Sequence, residues 1–130
     1  MDKTKKYNIA SIDIHGHGCD VTELKHVLPP EEFAIETASL FGLLSASTRL
    51  RILYLLYHRE VCVRNIAEAI EMSPPAVSHH LRSLKQLGVI TSRRIGKEVH
   101  YTIADTADGE LVSDLLKTVF ERRGIYEEDL

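Results

Sequence analysis

At 130 residues the chain is sized for one domain with one main core plus extensions, which excludes a multi-domain enzyme. Its 44% apolar and 27% charged residues are those of an ordinary folded protein, not of a disordered, collagen-like or membrane chain. The formal net charge of -3 argues against indiscriminate polyanion binding, yet the charge is unevenly spread: residues 73–103 sum to +4 and residues 104–130 to -5.

The opening MDKTKKYNIASIDIHGHGC is basic but has no continuous apolar stretch after its lysines, so it does not read as a secretory signal. No apolar run approaches the roughly 18 residues that span a bilayer. The expectation is a cytoplasmic protein with no membrane partner. Asp20, with Glu23 three residues on, is placed to cap a short helix carrying Val21, Leu24, Val27 and Leu28 on one side, before Pro29-Pro30. From Glu31, the positions Phe33, Leu40, Phe41 and Leu44, with Thr37 between them, follow helical spacing and predict a first core helix. After a small-polar break at Ser45-Ala46-Ser47-Thr48, a second helix carries Leu50, Leu53, Leu56 and Tyr57 inward and leaves Arg49, Arg51 and Arg59 for solvent or phosphate.

Val61-Cys62-Val63 is a short extended segment, and Ile66, Ala67 and Ile70 mark a brief helix ending near Glu71-Met72. Ser73 is a strong N-cap, and Pro74 suits the first helical position because it lacks only a donor that the helix would leave unused there. A new helix therefore starts at Pro74 and stops at Gly88. Two helices about three residues apart, the second so firmly started, form a helix-turn-helix pattern. Val89 to Arg94 and Glu98 to Ile103 then read as a hairpin around Gly96-Lys97, with Val99, Tyr101 and Ile103 alternating against Glu98, His100 and Thr102. Leu111, Val112, Leu115, Leu116, Val119 and Phe120 make a broad apolar stripe on a last helix that Gly124 ends. No internal repeat is present.

The predicted fold class is mainly α with a small β-hairpin wing, a winged helix-turn-helix. The expected organisation is an N-terminal extension over residues 1–30, one domain over 31–123 and an acidic tail over 124–130. At about 100° per residue, Val77, Leu81 and Leu84 share one face of the helix from Pro74, while Pro75, His79, Arg82 and Gln86 lie opposite. Residues near the start of a recognition helix reach base edges, so Ala76, Ser78, His79 and Arg82 are the candidates for the major groove. His80 falls nearer the apolar side and reads as structural. Arg93, Arg94 and Lys97 are placed near the hairpin tip to meet phosphates or the adjacent minor groove. A basic run alone is more often a solvated face; the helix-turn-helix in front of it gives this one its meaning.

The stretch from Glu60 to Ile103, EVCVRNIAEAIEMSPPAVSHHLRSLKQLGVITSRRIGKEVHYTI, resembles the core of the ArsR/SmtB family of bacterial metal- and stress-responsive repressors. The similarity lies in the VCV entry, the AVSHHLRSLKQLGVI recognition helix and exit, and the RRIGKEVHY wing. With the preceding LSASTRLRILYLL it covers most of residues 32–123. The resemblance implies a homodimer formed through the first and last helices, binding double-stranded operator DNA. The breadth of the last apolar stripe independently asks for a partner surface.

Two cysteines, Cys19 and Cys62, are too few for a disulfide scaffold. The resemblance further implies that Cys62 is a ligand of a metal site completed by the N-terminal extension, which offers His15, His17 and Cys19 as H-x-H-x-C, with His26 further on. Thiolate and imidazole suit zinc, cadmium or cuprous copper better than magnesium or calcium. Glycines at 16 and 18 let alternating ligands converge, within one chain or across the dimer. In this scheme the apo dimer represses and zinc or cadmium promotes release. Two other readings stay open: a thiol switch, disulfide or persulfide, using Cys19 and Cys62, and Cys62 as a small buried apolar residue. Arg64 and Asn65 stand where related motifs carry a second cysteine or an aspartate. A second family site between the paired last helices looks broken, because Asp105 and Glu121 match but Ala107 and Thr118 replace its histidines. No phosphate loop, nucleophile elbow or paired carboxylates mark an enzyme.

Overall fold

The structure, a computed structural model, describes residues 20–124. The chain divides into two compact units, the break falling between Ser39 and Leu40. In the first, helix α1 (Val21–Val27) is capped by Asp20, whose carboxylate accepts from the Thr22 N–H at 3.0 Å. None of its residues is buried, and Val21, Leu24 and Leu28, read as part of one apolar side, are exposed. Helix α2 (Glu31–Leu44) places Glu31 and Glu32 in its first turn, where carboxylates favour the positive end of the helix dipole.

The inward face of α2 departs from expectation. Leu40 and Leu43 are its buried residues, Leu44 is half-buried, and Phe33 and Phe41 are exposed. The helix is apolar on several sides, so spacing alone does not select the face; Leu40 and Leu43, three apart, are the pair that meets the core. Helix α3 (Ser47–His58) buries Ile52, Leu53 and Leu56, while Leu50, expected inward, is exposed.

Strand β1 is only Val61–Cys62, and helix α4 (Val63–Ile70) follows at once with Cys62 as its N-cap residue, so Val63 is helical rather than extended. Helix α4 ends on Glu71 in the left-handed region (φ 57), whose N–H reaches the Ala67 and Glu68 carbonyls. Ser73 opens helix α5 (Pro74–Gln86) as predicted, its hydroxyl accepting from the Ala76 N–H at 3.3 Å. Val77, Leu81 and Leu84 are fully buried, each contributing roughly 1.5–3 kcal/mol by leaving water. Gly88 (φ 74) then turns the chain into strands β2 (Ile90–Ile95) and β3 (Glu98–Ile103), with Gly96 (φ 63) at the tip.

The wing is more than a hairpin. β1 joins it to make a three-stranded antiparallel sheet in the order β1-β3-β2. Helix α6 (Ala107–Arg123) closes the domain, capped by Thr106 and ended by Gly124 at φ 80. It buries Val112 and Leu116 but leaves Leu111 and Val119 exposed. No single helix among the described residues is long and apolar enough to cross a membrane.

Candidate nucleic-acid interface and effector site

Burial of Val77, Leu81 and Leu84 fixes the rotation of α5 about its axis, and the opposite side follows: His79 and Arg82 are exposed, with Ala76 and Ser78 half-buried beside them. Of the four residues expected to face bases, His79 and Arg82 thus lie on the uncovered side of the second helix of the turn, and Ala76 and Ser78 flank it. His79 also carries structure, its carbonyl accepting from the Ser83 hydroxyl at 3.3 Å.

His80 is half-buried, as its position near the apolar side predicts. Arg49, from the start of α3, donates through Nε to His80 Nδ1 at 3.5 Å and through Nη1 to the Leu43 carbonyl at 3.1 Å. One guanidinium therefore ties the last turn of α2 to the recognition helix. Burial first, then the charge of Arg49 and of His79, hold the His80 imidazole below the ordinary histidine value.

The three basic residues of the wing behave differently from one another. Lys97 is exposed and has no ion pair among the described residues. Arg94 donates through Nε to the Gly96 carbonyl at 3.2 Å, bracing the tip. Arg93 is turned back from the tip and grips Glu60 with two hydrogen bonds, Nε to Oε2 at 2.8 Å and Nη2 to Oε1 at 2.7 Å. That hydrogen bond, followed in importance by partial burial that opposes it and by the charge of Arg93, leaves the Glu60 carboxyl below its usual value. Lys85, at the end of α5, donates to the Ser92 hydroxyl at 2.6 Å and so fastens the helix to the wing.

Cys62 is a free thiol, 3% exposed. The strand register sets it opposite His100, and His100 opposite Arg93, so residues 62, 100 and 93 form one row across the sheet on one face. His100 Nε2 lies 3.6 Å from a Glu98 carboxylate oxygen. His15, His17 and Cys19 lie outside the described residues, and among the described residues no group of three or more His, Cys, Asp or Glu side chains is arranged to hold a metal ion.

Sequence reasoning missed the Glu60–Arg93 pair and the Arg49–His80 link. The first needed the pairing of β1 with β3, between strands far apart in the chain; its only trace was the short Val61-Cys62 run. The second joins residues 31 positions apart, and no local pattern signals it.

A helix pair whose second helix presents a polar outer side, followed by an antiparallel sheet with cations on its hairpin, defines a winged helix-turn-helix DNA-binding domain. The chain belongs to the arsR family of bacterial regulatory proteins, whose family model matches residues 46–92. It is 40% identical over 87 residues to a cadmium resistance transcriptional regulatory protein, a CadC homolog from Staphylococcus aureus, the match covering 66% of this chain and 69% of that one. Among solved structures it is similar to the homodimeric winged helix-turn-helix DNA-binding domain of a possible ArsR-family transcriptional regulator from Mycobacterium bovis (TM-score 0.59, 30% identity, 72% of this chain and 88% of that one). It is also similar to the transcriptional repressor BigR from Xylella fastidiosa (TM-score 0.62, 28% identity, 72% and 91%). The family's members are transcriptional regulators, not enzymes.

Proposed function

We propose that this protein is a metal-responsive repressor: a homodimer whose α5 helices read operator DNA through Ala76, Ser78, His79 and Arg82, whose wings meet the backbone through Arg93, Arg94 and Lys97, and whose effector site includes Cys62. The observation that carries the effector reading is the double position of Cys62. It is the last residue of β1, in register with the central strand of the wing, and the N-cap residue of α4, the first helix of the turn. A force on this one residue reaches the wing directly and the recognition helix through α4, which packs against α5.

The donor set fits a soft or borderline ion. Cys62 and Cys19 supply thiolates, and His15 and His17 imidazoles, which suit zinc or cadmium. When bound, such an ion would supply a fixed bond between the N-terminal extension and β1. Cys62 is the residue through which such a bond would act on the start of α4 and the edge of the wing. An effector that binds the free dimer more tightly than the DNA-bound dimer weakens DNA binding by the same factor, and a coupling of about 1–3 kcal/mol gives roughly 5- to 150-fold. The cadmium resistance relative in Staphylococcus aureus supports a metal signal. A cytoplasmic location follows from work on operator DNA.

The dimer reading is supported by α6. Between α3, α4 and α6 runs an apolar groove of about 590 Å³ lined by Leu44, Leu50, Tyr54, Leu115 and Val119 among others, continuous with the exposed side of the last helix. A second copy covers it.

The test is a titration with zinc and with cadmium, watching sulfur-to-metal charge-transfer absorption and operator affinity together, in wild type, Cys62→Ser and Cys19→Ser. The expected result is an absorption band and lost affinity in wild type, both absent from the two variants. A band that survives Cys62→Ser removes Cys62 from the site. Affinity that ignores metal but falls with diamide in a chelated sample replaces this reading with the thiol switch.

A further inference from the structure

We propose that Glu60 acts as an internal stand-in for a DNA phosphate, holding Arg93 in the DNA-free protein and surrendering it when the operator binds. The inference rests on reading Arg93 as a phosphate contact.

The pair has the two-pronged geometry that arginine uses toward carboxylate and phosphate alike: Nε and Nη2 of Arg93 each meet one oxygen of Glu60, at 2.8 and 2.7 Å. A guanidinium so engaged has given the prongs it would offer to a phosphate to Glu60 instead. The two partners are unequally held. The Glu60 side chain is 25% exposed, at the entry to β1, whereas Arg93 is 69% exposed on β2. Arg93 is therefore the member free to swing away.

The pairing singles out one cation. Arg82 and Lys97 have no ion pair among the described residues, and Lys85 and Arg94 bond to a hydroxyl and a carbonyl, both neutral. Among the described residues, Arg93 alone of the lysines and arginines on α5 and the wing is matched with a carboxylate. The pair also crosses β3, since β1 and β2 are the two edges of the sheet, so it joins the outer strand of the wing to the segment leading into α4. Exchange of one anion for the other makes binding weaker than Arg93 alone would give, and the same competition suppresses binding to unrelated polyanions. Exposed ion pairs are weak, so the effect is about two- to five-fold.

The experiment measures affinity by fluorescence anisotropy, at several salt concentrations, for a duplex selected by the wild-type protein from a random pool. The proteins are wild type, Glu60→Gln, Glu60→Asp, Arg93→Gln and the Glu60→Gln/Arg93→Gln double variant, with thermal unfolding of each as a check on folding. Glu60→Gln is expected to tighten binding about two- to five-fold, Glu60→Asp, with a shorter reach, to fall between, and Arg93→Gln to weaken binding and reduce the salt slope by about one. Glu60→Gln should add nothing once Arg93 is gone. Equal tightening by Glu60→Gln in both backgrounds would mean simple removal of a negative charge and would overturn the proposal. Unchanged or weaker binding by Glu60→Gln, with Arg93→Gln behaving as expected, overturns the stand-in role alone. An Arg93→Gln variant with unaltered affinity and slope overturns the phosphate contact and the stand-in role with it.

Discussion

At the scale of single residues, base reading and backbone contact separate by what a substitution does to sequence preference. Arg82 stands on the exposed side of α5, opposite the buried Val77–Leu81–Leu84 face, with nothing bonded to its guanidinium among the described residues. Arg82→Ala is expected to cost about 1–3 kcal/mol of operator binding and to relax preference at one base pair. Lys97→Gln, at the wing tip, should weaken binding to all sequences alike and lower the salt slope by about one. A competition assay across single-base operator variants checks both. His80 gives a different prediction. Its imidazole accepts from Arg49 through Nδ1, which requires that nitrogen to be unprotonated, and burial and two neighbouring groups depress its proton affinity in the fold. The unfolded chain therefore binds the proton more tightly. Stability from this residue is present above the unfolded value near 6.5 and is lost as pH falls through the lower, folded value. Urea unfolding at pH 5 to 8 should show wild type losing stability on acidification more steeply than His80→Gln. Parallel curves would mean that folding leaves the proton affinity of His80 unchanged.

At the scale of elements, the cap of α6 shows how a helix start is tied to the end of another. Thr106 accepts from the Gly109 N–H at 3.0 Å and donates to the Gly88 carbonyl at 2.7 Å, so one hydroxyl fastens α6 to the turn that ends the recognition helix. Thr106→Ala should cost about 1 kcal/mol of stability. Gly109 is a sharper case. A Cβ there runs into the Ala104 carbonyl, which is backbone and does not yield cheaply. Gly109→Ala, normally favourable inside a helix, is expected instead to destabilise by about 1–3 kcal/mol in thermal or urea unfolding. What was legible in the sequence at this scale follows from how local each signal is. Ser73-Pro74 fixed the start of α5, the 77, 81, 84 spacing its buried face, and Gly88 and Gly124 its end and that of α6, because each works through neighbours within one or two turns. The end of α4 near Glu71 was legible too, but its left-handed backbone was not, since no glycine stands there to announce it. The inward face of α2 was misjudged because Phe41 beside Leu40 and Leu44 fits a helical stripe as well as Leu43 does. The joining of β1 to β3 depends on tertiary pairing, and with it went the row of Cys62, His100 and Arg93.

At the scale of the whole molecule, the proposed function requires two copies to be held at the right separation. Operator half-sites one helical turn apart lie about 34–36 Å from centre to centre, and a dimer meets both only if its interface fixes the spacing. One protomer already encloses Val112 and Leu116, while Tyr54 of α3 packs edge-on against Phe120 with ring centroids 4.4 Å apart. Val112 and Leu116 are thus buried without a partner, whereas Leu111 and Val119, 42% and 46% exposed, contribute little to the protomer itself. A charge at position 119 should therefore spare the fold and damage the assembly. Val119→Asp is expected to move the sedimentation coefficient from that of a dimer to that of a monomer at micromolar concentration, with helix content and the unfolding midpoint of the domain little changed when compared at matched association state. Operator affinity should fall at least ten-fold, since a monomer engages one half-site, while binding to a single isolated half-site falls far less. A Val119→Asp protein that still sediments as a dimer and keeps its operator affinity would place the interface elsewhere, and the apolar groove beside α6 would then need a different occupant.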